Sequence, residues 1–247
     1  MRRLLILPDA AALATAAAEE FTRAAAASSG PFRVALSGGA TPRTLYALLA
    51  DEKAPYHARV PWERLHFFWS DERCVPPDHP DSNYRMASET LLSRVAAPSA
   101  NVHRVAGELA DADEAASRYE EEIRRDFASA VPGAPRFDWI FLGMGVDGHT
   151  ASLFPGTTVV METKKLVASV WVEEKKSHRV TFTLPLLNAA QNVAFVVSGA
   201  EKAETARRVL EEAPSAARPA SLVVPIRGQS LWLLDRAAAS RSGLNRG

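Results

Sequence analysis

Phe137-Asp-Trp-Ile-Phe-Leu142 runs directly into Gly143-Met-Gly145-Val-Asp147-Gly148-His149-Thr150, then Ala151-Ser-Leu-Phe-Pro155-Gly156. The first six residues, rich in aromatic and branched side chains, read as a buried strand. Glycines at the end of such a strand let the backbone approach a ligand closely. The literal G-x-G-x-x-G invites a dinucleotide reading. That fingerprint needs a long helix next and then a strand ending in an acidic residue. Here Pro155-Gly156 stops the expected helix after roughly a turn and a half, so NAD binding is rejected. What remains is His149 at the carboxyl end of a strand, with Asp147 two residues before it. An imidazole there suits general acid–base work. The alternative, a hydrogen-bonded structural histidine, fits less well with three glycines thinning the backbone around the ring.

Outward from this stretch the chain alternates short apolar runs with longer amphipathic or Ala-rich ones. Strands are expected at Arg3–Leu7, Phe32–Ser37, Leu65–Ser70, Val102–Val105, Phe137–Leu142, Leu166–Trp171, Arg179–Thr183, Val193–Ser198 and Ser230–Asp235. Helices are expected at Asp9–Ala27, Pro42–Ala50, Ser82–Val95, Asp111–Ala130 and Glu201–Glu212. Buried strands alternating with helices imply an α/β fold with a mostly parallel sheet covered on both faces. The segments Ala54–Pro61, Pro76–Pro80, Val131–Pro135 and Ala213–Pro219 are short enough to be loops. No repeat or boundary divides residues 1–247, so a single domain is expected.

In open parallel sheets, ligands bind outside the carboxyl ends of the strands. Three further strand ends are notable. Ser37-Gly38-Gly39-Ala40-Thr41-Pro42 ends a strand and opens a helix, with Thr41 suited to the N-cap and Pro42 to the first helical position. Such a loop is either an anion site, most naturally for phosphate, or a plain glycine turn. No Gly-Lys-Ser/Thr follows, so it is not a Walker motif. Trp69-Ser70-Asp71-Glu72-Arg73 places three charges after an apolar strand. Asp71 and Glu72 could serve as acid, base or sugar-hydroxyl acceptor and Arg73 as anion partner, or all three could form a solvated strand end. In Ser198-Gly199-Ala200-Glu201-Lys202, Lys202 falls in the first turn of a helix. A cation there opposes the helix dipole unless an anion sits beside it. Pairing with Glu201 is the alternative. Arg179, at the start of a strand, is a similar candidate.

Composition narrows the class. The 247 residues carry 29 Lys+Arg and 29 Asp+Glu, a net charge of +0, which argues against a nucleic-acid binder working by bulk charge. Cys74 is the single cysteine, so no disulfide framework or cysteine metal cluster is expected. With no base evidently paired to it, Cys74 reads as a passive thiol. The histidines at 57, 66, 79, 103, 149 and 178 show no metal-ligand spacing. G-x-S-x-G is absent. The opening apolar run stops at Pro8-Asp9, short of a signal-peptide core, and no run is long enough to span a membrane. A cytoplasmic location is expected.

The motifs resemble the 6-phosphogluconolactonase family. The resemblance rests on Ser37-Gly38-Gly39 with Thr41-Pro42; on Trp69-Ser70-Asp71-Glu72-Arg73 with Val75-Pro76 and Ser82-Asn83; on Gly143 through Pro155; on Arg179-Val-Thr181; on Ser198-Gly199 with Lys202; and on Trp232-Leu-Leu-Asp235 with Ala237-Ala238. It covers nearly the whole chain. Asp147-Gly-His149-Thr-Ala-Ser-Leu-Phe-Pro155 is its most specific part, whereas the Ser-Gly-Gly loop is shared with glucosamine-6-phosphate deaminases. The chain departs at 173–178, where the family often has a proline-containing stretch before Arg179.

The resemblance implies a three-layer, modified Rossmann-like fold and no metal or organic cofactor. It implies hydrolysis of 6-phospho-D-glucono-1,5-lactone to 6-phosphogluconate, the second step of the oxidative pentose phosphate pathway, with His149 as base. Asp147 would orient the ring. Ser37, Gly38, Gly39, Thr41, Asp71, Arg73, Gly145, Arg179 and Lys202 are the expected substrate contacts. The partner expected is a small sugar phosphate, with no nucleic acid or membrane, and a monomer is the default state. Two rivals stand beside this reading. An amino-sugar phosphate deaminase–isomerase would carry Asp-Glu-Tyr where this chain has Asp71-Glu72-Arg73, and His-Ile-Ala-Phe-Asn-Glu-Pro-Gly where it has residues 149–156. A non-catalytic sugar-phosphate sensor would usually carry an added partner domain.

Overall fold

A computed structural model describes residues 1–127, 133–241 and 243. Six strands form a parallel sheet: β1 (Arg2–Leu7), β2 (Phe32–Leu36), β3 (Leu65–Trp69), β5 (Trp139–Leu142), β8 (Asn192–Val197) and β9 (Gln229–Asp235), in the order β1-β9-β8-β5-β2-β3. Alternate side chains of these strands enter two cores. Val34, Leu36, Phe67, Trp69, Phe141, Val196 and Leu233 face the helices α1 (Ala10–Ala27), α2 (Ala40–Leu49) and α3 (Asn83–Thr90). Ala35, Phe68, Ile140, Leu142, Phe195 and Leu234 face α4 (Ala112–Asp126), α5 (Leu184–Ala189) and α6 (Ala203–Glu211). The result is the expected α/β fold of three layers.

Local chemistry sets the helix ends. Asp9 caps α1 by accepting from the Ala12 N–H at 2.8 Å, and Leu13, Ala17, Phe21 and Ala25 form its buried stripe. Asp111 caps α4 in the same way.

Chain order reverses between β2 and β5. From β2 the chain passes to β3 on one side, while β5, β8 and β9 follow on the other. Their ladder pairs only Val34 with Trp139 and Ala35 with Ile140, stopping short of both carboxyl ends. A crevice at such a reversal is where open α/β sheets bind ligands.

Several expectations are corrected. The strands expected at 166–171 and 179–183 leave the parallel sheet: β6 (Val167–Val172) and β7 (Ser177–Phe182) pair antiparallel with β4 (Asp71–Arg73) in a second sheet. Arg179 therefore sits inside β7 rather than at its start. Ser70 joins the sheets, its N–H donating to Leu36 O and its carbonyl accepting from Phe182 N–H. Val102–Val105 forms only an isolated bridge to Phe67. The helix expected over 82–95 ends at Thr90, followed by a single 3-10 turn, and Lys202 closes a 3-10 turn ahead of α6. No helix forms over residues 145–157. Residues 128–130 of the helix expected over 111–130, and 131–132 of the loop expected over 131–135, lie outside the described residues.

Candidate active site

A cavity of about 380 Å³ opens where β2, β3 and β5 end, within the range of small-molecule sites. Ser37, Gly38, Gly39, Thr41, Asp71, Arg73, Gly145, His149 and Lys202 all line it, with Asn83, Thr150 and Ala151. Asp147 and Arg179 are not among its lining residues; Asp147 contacts His149, and Arg179 lies opposite Arg73 in the β4/β7 register.

The loop after β2 is anchored at Ser37, whose N–H donates to the Tyr46 hydroxyl at 2.9 Å; that hydroxyl donates back to Ser37 O at 3.0 Å. The Ser37 Oγ is buried without a protein partner, which suits a polar ligand. Gly39, at φ +108°, occupies the N-cap of α2. Thr41 and Pro42 fall in the first helical turn, two positions later than their cap chemistry led us to expect. A Cβ on Gly38 would lie 1.8 Å from Asn83 Oδ1, so only glycine lets Asn83 reach over and donate to Asp71 O at 2.9 Å.

Glu72 has no free acid–base capacity. Its buried carboxylate accepts from the N–H groups of Arg73, Asn83 and Tyr84 at 2.7–2.8 Å and from the Ser82 hydroxyl at 3.2 Å. It locks the start of α3 onto β4. Asp71 accepts from Ser152 Oγ at 2.7 Å. Arg73 donates to Asp81 O and lies opposite Arg179 in the β4/β7 register. The Nε atoms of both arginines are buried and unpartnered. Burial and the nearby Arg73 charge lower the pKa of Arg179 from its ordinary value, against the pull of Asp71, Glu72 and Asp81. Two guanidiniums so placed favour an anion beside them. Lys202 forms no ion pair among the described residues, so the alternative pairing with Glu201 is not realised.

His149 Nδ1 lies 2.6 Å from Asp147 Oδ1, which also accepts the His149 backbone N–H at 3.1 Å. The ring lies on Phe154 at a centroid separation of 4.2 Å, and its side chain is 31% exposed. Burial opposes ionisation of Asp147, but the hydrogen bonds from His149 prevail and hold the carboxyl below its ordinary range. With Nδ1 so engaged, Nε2 is the nitrogen left for a reactant. A Cβ on Gly145 would fall 2.2 Å from the ring and 2.5 Å from Asp147 Oδ1. Gly145 is thus the residue that admits the His–Asp pair.

Contacts missed in the sequence hold this loop. Thr150 Oγ1 donates to Gly143 O at 2.8 Å, Ala220 N–H to Gly148 O at 2.9 Å, and Thr205 Oγ1 to Val146 O. No local signal marks Thr205 or Ala220, because they arrive from distant segments. Cys74 is half-buried, and burial pushes its thiol up to about 11, consistent with a passive role.

Residues 8–232 match the family described as glucosamine-6-phosphate isomerases/6-phosphogluconolactonase. A 6-phosphogluconolactonase of Nostoc is 43% identical over 215 residues, covering 85% of each chain. One from Synechocystis is 42% identical over 216 residues, covering 87% of this chain and 86% of the relative. The solved structure of 6-phosphogluconolactonase from Trypanosoma cruzi superposes with a TM-score of 0.86 at 29% identity, covering 98% of this chain and 97% of that one. With the family model matching most of the chain and relatives above 40% identity over more than four fifths of it, this chain belongs to the glucosamine-6-phosphate isomerase/6-phosphogluconolactonase family.

Proposed function

We propose that this protein hydrolyses 6-phospho-D-glucono-1,5-lactone to 6-phospho-D-gluconate, with His149 as general base. The observation that carries the assignment of roles is the His149–Asp147 pair at 2.6 Å, its ring lining one cavity with Arg73 and Lys202. Curated relatives that bear the lactonase name along most of their length support the reaction.

A lactone carbonyl is electrophilic enough for an activated water to attack it directly. Nε2 of His149 takes a proton from water as the new C–O bond forms at C1. The imidazolium then gives that proton to the ring oxygen as the C1–O bond breaks, leaving the open acid. Asp147 fixes the tautomer with hydrogen on Nδ1 and stabilises the imidazolium. Such catalysis is worth about 10²–10⁴-fold. The phosphate lies at the far end of the substrate as an anchor. Arg73, Lys202 and the Ser37–Thr41 loop are its contacts, and Arg179 adds positive potential behind Arg73. The second oxygen of Asp71 is available to a sugar hydroxyl. The same reading takes the enzyme as a cytoplasmic monomer acting on a small sugar phosphate, without nucleic acid.

The family also contains amino-sugar phosphate isomerases, so the test compares two substrates. Purified enzyme should accelerate lactone hydrolysis well above the spontaneous rate and release no ammonia from glucosamine 6-phosphate. The reverse pattern overturns the assignment.

A further inference from the structure

Three ligand-bearing side chains meet away from the crevice, beside the amino-terminal half of β3. His66 is the second residue of β3, His103 follows the bridge to that strand, and Asp126 ends α4. Their sequence spacing carries no metal signature; the fold brings them together. His66 Nδ1 and Asp126 Oδ1 lie 2.6 Å apart, and His103 Nε2 lies 3.4 Å from each. All three are largely shielded, with side-chain exposures of 19%, 9% and 9%.

The surroundings dictate what the centre of this cluster must hold. Glu122 Oε1 lies 2.8 Å from His103 Nδ1. A carboxylate can only accept, so that nitrogen carries the hydrogen. Nε2 of His103 therefore faces a carboxylate oxygen and another ring nitrogen. Lone pairs converging in this way call for a positive charge between them, either a proton or a metal ion. Arg33 takes the other oxygen of Asp126 at 2.6 Å and its backbone carbonyl at 2.7 Å, leaving Oδ1 as a single ligand atom.

We propose that this cluster binds one divalent transition-metal ion of the zinc class through His66 Nδ1, His103 Nε2 and Asp126 Oδ1, with water completing the shell. Metal–ligand bonds of about 2.0–2.1 Å in a tetrahedron place ligand atoms about 3.4 Å apart. Two of the three spacings already have that value. The third opens by about 0.8 Å when the ion replaces the hydrogen shared by His66 and Asp126. Two imidazoles and one carboxylate suit zinc or cobalt better than calcium or magnesium, which prefer all-oxygen shells. Glu122 behind His103 is the carboxylate–histidine–metal arrangement that orients a ligating ring. His66 precedes Asp71 by five positions along an extended path of roughly 16 Å, so the ion sits clear of the crevice. Its role is structural: it ties β3, the segment after the bridge and the end of α4 together.

The test uses the full chain, stripped with a chelator and titrated with Co²⁺ and then Zn²⁺. One equivalent of Co²⁺ should give a visible absorption band that Zn²⁺ displaces. Zn²⁺ at a hundredfold excess over its Kd should raise Tm by about 5 °C or more, with lactone hydrolysis unchanged. His66→Gln should abolish both signals, and Glu122→Gln, which keeps all three ligands, should weaken binding about 10- to 100-fold. His149→Gln should keep the full equivalent, separating this site from the His149–Asp147 pair. Absence of Co²⁺ binding overturns the proposal, leaving a proton at the centre. So does binding unchanged in both cluster variants, or binding lost only in His149→Gln.

Discussion

At the scale of single residues, the proposed catalytic pair depends on Gly145. Its missing Cβ is what allows His149 and Asp147 to pack as they do. Gly145→Ala should displace the ring by about 1 Å, and a misplacement of that size costs on the order of 10²-fold. The expected outcome is a fall in kcat with little change in product affinity, read by steady-state lactone hydrolysis and 6-phosphogluconate titration. An equal loss of affinity would mean that the whole crevice had collapsed. Cys74 offers a second check. With its thiol pushed up to about 11, iodoacetamide at pH 8 should label native protein at least about tenfold more slowly than protein in denaturant. His149, Arg73 and Lys202 were legible in the sequence because each follows a strand that could be read from its apolar run. Asn83 and Ser152 were not legible as site residues, because their partners lie on other elements. The Arg73–Arg179 juxtaposition stayed hidden because it is made by cross-strand register.

At the scale of elements, the short strand β4 governs the site. Glu72 points one way to seat α3, while Asp71 and Arg73 on either side point toward the cavity, as period-two alternation requires. Glu72→Gln should turn an amide N–H₂ against donors that now meet a carboxylate. A cost of about 1–3 kcal/mol is expected in urea unfolding, with a rise in KM as Arg73 loses its seat. Unchanged stability would refute the lock. The six parallel strands were readable because each is a mostly apolar run, buried in all but the edge strand β1. The second sheet was not, because three charged residues at 71–73 carry no strand signature and pair only through β7. The helix expected after Gly145 does not form; its place is taken by turns around Gly148, whose φ of +85° no right-handed helix accommodates.

At the scale of the molecule, carboxylates paired in the native state set the acid limit of stability. Burial of Glu20 is outweighed by hydrogen bonds from Arg3 and Arg23, Arg104 holds Glu108 down, and Asp147 is held down by His149 despite burial. Each has a folded pKa below its unfolded one, so its contribution is complete above the unfolded value of about 4 and fades as pH falls through the folded value. Burial works the other way at Glu72 and Asp138, whose pKa values it raises, but the lowered carboxylates outnumber them, so the urea midpoint should drop as pH falls below about 4.5. A midpoint that rises below that pH would contradict this assignment. The fold as a whole converges on the reversal of chain order between β2 and β5, which brings an imidazole and unneutralised cations to one rim. The most direct measurement is lactone hydrolysis, corrected for the spontaneous rate, for wild type and His149→Ala. His149→Ala should lose at least about 100-fold with 6-phosphogluconate binding retained; turnover near the wild-type rate would remove His149 from the reaction.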